Sequence, residues 1–217
     1  MKHDKLPGTI LSARIIPNVS PYMAKEFNLT SERKSLAMIS ADADDIAYIA
    51  LDQATKVADV EVVYAKSMYA GAANASTKLA GEFYGAIAGP NPAEAKAGLN
   101  AIFAFFGGDC TFVSANEDNS IIYLSYCISR SGTYLSRSNG IEVGESIAYC
   151  VGPPLESVYA TDAALKEADV GIIAFIGPPS NTNFAGALFT GSQSACKAAC
   201  DAYETAIIQV ADEPIKY

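Results

Sequence analysis

Asp52-Gln53-Ala54-Thr55-Lys56-Val57-Ala58-Asp59-Val60 returns later in the chain as Asp162-Ala163-Ala164-Leu165-Lys166-Glu167-Ala168-Asp169-Val170. Asp52, Ala54, Lys56, Ala58, Asp59 and Val60 each find an identical residue 110 positions on, and self-similarity on this scale marks a duplicated structural unit. Both copies continue into an apolar β-like run, Val60-Glu61-Val62-Val63-Tyr64 and Val170-Gly171-Ile172-Ile173-Ala174. Upstream, Ser35-Leu36-Ala37-Met38-Ile39 answers Ser146-Ile147-Ala148-Tyr149-Cys150 at an offset of 111. Downstream, Gly89-Pro90-Asn91-Pro92-Ala93 answers Gly191-Ser192-Gln193-Ser194-Ala195 at an offset of 102, so the second copy is shorter in a loop. Two units of about 100 residues, 1–109 and 110–217, account for the chain.

Each unit reads as strand, helix, strand, loop, strand, helix. In the first, 35–40 is a short apolar strand, and Ile46, Ile49, Ala50, Ala54 and Val57 fall at helical spacing after an Asp-rich turn in which Asp44 or Asp45 would cap the helix. A strand over 60–69 and another over 83–88 follow. Pro92 then opens a helix at the first-turn position proline tolerates, running to about Phe105. The second unit repeats this from Ile147 to about Val210. The stretches 10–16, 111–114 and 121–128 read as further strands or hairpin pieces. Helices on one face of a mostly antiparallel sheet make each unit an α+β sandwich.

Composition removes whole classes of function. Half of the 217 residues are apolar and 18% are charged, as in an ordered globular chain. A net charge of −9 without a basic cluster argues against nucleic acid, whose binding rests on Lys and Arg at phosphates. The start Met1-Lys2-His3-Asp4-Lys5 lacks the apolar core of a signal peptide, and no apolar run is long enough to span a bilayer, so neither membrane nor secretion is expected. Five cysteines without zinc-ribbon spacing read as reduced thiols of a cytosolic protein. Cys196 and Cys200 share a helix face, as small core residues rather than a metal or redox pair. The one histidine is His3, so no Ser-His-Asp or Cys-His pair can be assembled within the fold, and Walker and Gly-x-Gly-x-x-Gly loops are absent. No enzyme, resident cofactor or metal is expected; an acid and base pair of Asp44 and Glu82 is the one catalytic arrangement left to weigh.

The Asp/Ala-rich helix with its lysine four residues before the valine that starts a strand, and the later glycine, strand and Ala-rich helix, resemble the bacterial microcompartment (BMC) shell domain. Ile39-Ser40-Ala41-Asp42-Ala43-Asp44-Asp45, Ala70-Gly71-Ala72-Ala73, Gly89-Pro90-Asn91-Pro92-Ala93-Glu94-Ala95 and Thr190-Gly191-Ser192-Gln193-Ser194-Ala195-Cys196 are similar to the tandem-domain branch of that family found in ethanolamine-utilisation compartments. The resemblance covers nearly the whole chain. It implies two circularly permuted BMC domains on ferredoxin-like sandwiches, three chains closing a pseudohexameric homotrimer, and partnership with other BMC shell proteins in the shell of a cytoplasmic compartment.

It also implies site residues. Lys56 and Lys166 match the edge lysine with which such domains register against neighbours in a hexagonal layer, where an isolated helix lysine would be merely solvated. Asp44, with Asp45 and Asp42 nearby, Glu82 and Phe112 match a narrow acidic pore in each subunit. Such a constriction would attract a small cation such as protonated ethanolamine, held weakly. Ser114 stands where relatives carry a bulky aromatic, so the width of that pore does not carry over. The loops 71–79, with Ala73, Asn74, Ser76 and Thr77, and 177–186, with Asn181, Thr182, Asn183 and Phe184, match the segments that gate a large central pore. By analogy with the cobalamin-dependent lyase such compartments enclose, a wide pore would suit cobalamin. The alternative is a small-molecule-binding regulatory protein on a ferredoxin-like scaffold.

Overall fold

The computed structural model of the chain describes residues 1–68, 77, 79–178 and 180–217. It forms two compact units. The first comprises Gly8–Cys110 with Gly132–Leu135; the second comprises Met1–Pro7, Thr111–Ser131 and Ser136–Tyr217. The short strand β1 (Lys5–Leu6) thus belongs with the later half of the chain, where it pairs antiparallel with β6 (Phe112–Ser114).

In the first unit, β2 (Ile10–Ile16), α1 (Pro21–Glu26), β3 (Ser35–Ala41), α2 (Asp44–Val57), β4 (Glu61–Ser67), β5 (Phe83–Gly89) and α3 (Pro92–Phe106) follow in order. The sheet runs β2-β3-β5-β4 with every neighbouring pair antiparallel. Consequently β3 and β4 run parallel, one strand apart, and α2 is the crossover between them, the split βαβ arrangement. The strand flanking β3 on its other side precedes it in the chain instead of following α3, which is the permutation that the resemblance implies. Ser35–Ala41 is buried almost throughout, as a central strand must be, whereas the edge strand β4 is not. Gly98 lets α3 approach β5 closely, since a Cβ there would meet Ile87 Cδ1 at 2.6 Å. The opposite face, with Leu36, Ala86 and Ala88, is covered by Val19, Phe27 and Leu29.

The second unit repeats the order with β6, β7 (Ile122–Ile128), α4 (Thr133–Asn139), β8 (Ser146–Gly152), α5 (Pro154–Glu167), β9 (Val170–Ile176), β10 (Ala185–Gly191) and α6 (Gln193–Asp212), α4 starting within the Gly132–Leu135 segment. Its sheet runs β1-β6-β7-β8-β10-β9, the four-strand order of the first unit extended by β6 and, beyond it, by β1 from the start of the chain. Tyr123, Phe189, Tyr203 and Ile207 form the core, and Cys150, Cys196 and Cys200 pack into it as small residues. All five cysteines are free thiols.

The duplication extends to an irregularity. In the first sheet Val62 pairs with Ile87 and Tyr64 with Ala86, so Val63 is the extra residue of a bulge. In the second, Ile172 pairs with Phe189 and Ala174 with Leu188, so Ile173 is the extra residue. The bulged residues stand 110 apart and their partners 102 apart, the offsets of the sequence repeat.

Several local expectations need correction. The N-cap of α2 is Ala43, in extended geometry and without a side-chain cap. Asp44 and Asp45 instead occupy the first helical turn, where exposed N–H groups and the helix dipole favour carboxylates as well as a cap position does. The strand expected over 60–69 is described as Glu61–Ser67, and α6 runs to Asp212. The helices α1 and α4, too short to show periodicity, were not anticipated. Pro92 does open α3, with Asn91 Oδ1 accepting the N–H groups of Ala93 and Glu94 at 2.9 and 3.0 Å. Among the described residues no helix is long and apolar enough to cross a membrane.

Candidate functional site

The end of β3, the first turn of α2 and the start of β5 bring Asp42, Asp44, Asp45 and Glu82 together in the first unit. Gly81, with φ of +63°, makes this possible: a Cβ there would lie 2.2 Å from the Ala41 carbonyl oxygen, so only glycine allows the turn. The turn delivers Glu82, whose N–H donates to Ala41 O at 2.9 Å and whose carbonyl accepts from Met68 N–H at 2.7 Å. Asp42 is fixed by Thr9, whose N–H donates to its Oδ1 at 2.5 Å. Asp44 and Asp45 are buried, and Asp44 Oδ1 accepts the Asp45 N–H at 2.9 Å.

Concentrated negative charge shows in the neighbours. Burial first, and then the charges of Asp44 and Asp42, push the Glu82 carboxyl up to about 7. Tyr48, one helical turn beyond Asp44, is raised by burial and by Asp44 and Asp45, against a hydrogen bond with Ser67. Cys110 is likewise raised by burial and by Asp45. The Tyr48 hydroxyl lies 2.8 Å from Ser67 Oγ and accepts the Ser67 N–H at 3.0 Å. The tyrosine thus ties the α2 face of the cluster to the end of β4. This partner escaped the sequence reading, although its spacing of four from Asp44 places both on one helix face. Among the described residues no group of three or more His, Cys, Asp or Glu is arranged to hold a metal ion. What the cluster can do is attract a cation and exchange a proton near neutral pH.

The remaining expected residues belong to other segments of the chain. Phe112 belongs to the second unit and packs against Phe184 with ring centroids 5.6 Å apart. Ser114 is fully buried, its hydroxyl donating to Asn116 O at 2.8 Å. In the 177–186 loop, Ser180 organises a turn: its Oγ accepts Thr182 N–H at 3.3 Å and its carbonyl accepts Asn183 N–H at 3.2 Å, Asn183 adopting φ of +65°. Asn181 stands in the same turn. In the 71–79 loop, Thr77 Oγ1 accepts Leu79 N–H at 3.1 Å, while Ala73, Asn74 and Ser76 lie outside the described residues.

The two lysines share a repeat position and differ in surroundings. Lys56 pairs with Asp52 at 3.4 Å and Lys166 with Asp162 at 2.5 Å, the same spacing of four on α2 and α5. Asp52 is fully buried, whereas Asp162 is 62% exposed.

No protein-family model matches the chain. It is 59% identical over 217 residues to the bacterial microcompartment shell protein EutL of Clostridium perfringens (strain 13 / Type A), all of both chains being covered. Its identity to the protein of the same name from Escherichia coli (strain K12) is 46% over 213 residues, covering 98% of this chain and 97% of that one. The crystal structure of the ethanolamine utilization protein EutL from Leptotrichia buccalis matches over the whole of both chains with a TM-score of 0.98 and 57% identity. With a permuted, duplicated α+β sandwich and full-length identity of this order, the chain belongs to the EutL family of bacterial microcompartment shell proteins.

Proposed function

We propose that three copies of this shell protein close a ring of six domains, that the rings tile into a layer through edges carrying Lys56 and Lys166, and that the layer admits small cations past Asp44 and Glu82. As a member of its family the chain is a structural component that assembles with itself and with other shell proteins, not an enzyme and not a free-standing regulator. Two domains per chain need three chains to supply six domain positions, and heterologous contacts that close a rotation give a finite ring.

The passage reading rests on one observation: Glu82 held half-buried beside Asp44 by a turn that only glycine permits. A protonated amine entering such a site exchanges hydration for Coulomb attraction to confined carboxylates. The similarity to the ethanolamine utilization protein EutL of Leptotrichia buccalis makes ethanolamine the first solute to test. A passage site must release what it binds, so an affinity of about tens of micromolar to millimolar is expected. Isothermal calorimetry with ethanolamine on the wild type and on Asp44→Asn with Glu82→Gln decides the point. Weak binding lost in the double variant supports the reading, and equal binding by both, or none by the wild type, removes it. The loops 71–79 and 177–186 are proposed to line the central opening, and a solute can bias them only by binding one loop state better than another. Cobalamin is the candidate for that wider opening, by analogy alone.

A further inference from the structure

The first unit carries, within one chain, a junction whose duplicate is left open. Residues 132–135 lie against α2. Asp52 Oδ2 accepts the Gly132 N–H at 2.7 Å, Asp52 Oδ1 accepts the Leu135 N–H at 2.9 Å, and Thr55 Oγ1 accepts the Thr133 N–H at 3.1 Å. Tyr134 stacks on Tyr48 with centroids 6.5 Å apart and planes 17° from parallel.

Both sides of this junction have equivalents. On α5, at an offset of 110, Tyr48, Asp52 and Thr55 become Val158, Asp162 and Leu165. The segment 132–135 corresponds to 20–23, at an offset of 112 that three features anchor. Ile16 pairs with Leu36 as Ile128 pairs with Ile147. Val19 N–H donates to Lys34 O as Ser131 N–H donates to Glu145 O. Ser35 Oγ donates to Pro17 O as Ser146 Oγ donates to Ser129 O. Thus Gly132, Thr133, Tyr134 and Leu135 answer to Ser20, Pro21, Tyr22 and Met23, and α1 and α4 begin at equivalent residues.

Among the described residues neither equivalent is covered within the chain. Tyr22 is 73% exposed and α1 contains no buried residue. Val158 is 44% exposed and lines, with Pro154, Leu155, Tyr159 and Pro178, an open apolar groove of about 620 Å³. The two bare surfaces have also changed together. Where Thr133 donates to Thr55, the duplicate pair is Pro21, which has no N–H, and Leu165, which has no acceptor. A polar contact has become apolar on both sides at once, which costs neither partner an unsatisfied group. The carboxylate survives as Asp162, facing the N–H groups of Ser20 and Met23 in the duplicate arrangement.

We infer that Ser20, Pro21, Tyr22 and Met23 of one copy dock on Val158, Asp162 and Leu165 of a second copy, repeating between chains the junction that Gly132–Leu135 makes with α2 within one. The inference rests on the ring proposed above and deepens it by naming residues through which successive chains of that ring meet. Tyr22 enters the groove beside Val158, and the start of α1 meets the Asp162 carboxylate.

Sedimentation velocity over a concentration series tests it, because both residues are exposed in the single chain and their replacement leaves the subunit fold intact, as circular dichroism would verify. Val158→Asp should raise the concentration at which the trimer dissociates by about tenfold or more, as for a central apolar contact residue. Adding Tyr22→Lys to Val158→Asp should restore most of the loss through a new ion pair, and Tyr22→Lys alone should weaken the assembly. An unchanged trimer in Val158→Asp overturns the docking surface, and dissociation without rescue by Tyr22→Lys overturns the assignment of residues 20–23 to it. A wild type that is not trimeric overturns the ring as well, so failure of the contact and failure of the ring are told apart.

Discussion

Asp52 Oδ2 accepts the backbone N–H of Gly132 at 2.7 Å, so a fully buried carboxylate in the middle of α2 organises a segment that lies 80 residues further along the chain. Its other oxygen takes Leu135 N–H, and Lys56 supplies the balancing charge. Removing the carboxylate strands two backbone donors and a cation. Asp52→Ala should therefore lose about 2–5 kcal/mol in urea unfolding, whereas Asp201→Ala, which breaks only the exposed pair with Lys197, should stay within about 0.5 kcal/mol.

Glu82 predicts a pH dependence of opposite sign to that of most carboxylates. Its folded value, about 7, lies above the ordinary 4.5, so between these limits the folded protein holds more protons than the unfolded chain. Stability contributed at this site is then greatest below pH 4.5, falls as pH rises towards 7, and is constant above it. Glu82→Gln should flatten that part of the stability profile. Amine binding should run the other way, strengthening as Glu82 ionises around pH 7 and releasing protons when measured in buffers of different ionisation enthalpy.

Gly81 sets the position of Glu82, and its backbone is in the left-handed region with Ala41 O in the way of any Cβ. Gly81→Ala should cost about 1–3 kcal/mol. It should also weaken ethanolamine binding while leaving all four acids in place, which calorimetry beside a thermal melt would separate.

The repeat makes Lys56 and Lys166 look interchangeable, and the structure makes them unequal. Lys166→Ala should leave subunit stability within about 0.5 kcal/mol of wild type, since its partner Asp162 is exposed, while impairing layer formation in electron micrographs. Lys56→Ala should impair layers and also destabilise the subunit, because it leaves the buried Asp52 without its cation.

That inequality marks where sequence reading stops. The duplication was legible because its identities fall on α2, α5 and the strands that follow them, where local spacing decides the structure. Even the shared bulge at Val63 and Ile173 preserves the sequence offset. Asp52 and Asp162 have the same local sequence, and what buries one is residues 132–135, whose return to α2 no local pattern records. The acid cluster was legible as a concentration of carboxylates around α2, but its capping role was misassigned because aspartate suits both the N-cap and the first turn. The Tyr48 and Ser67 link depends on how β4 runs beside α2, and Gly81 reveals its importance only once Ala41 O is seen above it.

Electron microscopy of the purified protein shows whether this chain builds a layer. Flat sheets with hexagonal packing are expected, each lattice point a ring of three chains, replaced by dispersed rings in the Lys166→Ala variant. Particles that remain single chains or irregular aggregates under all conditions of concentration and salt, in wild type and variant alike, would contradict it.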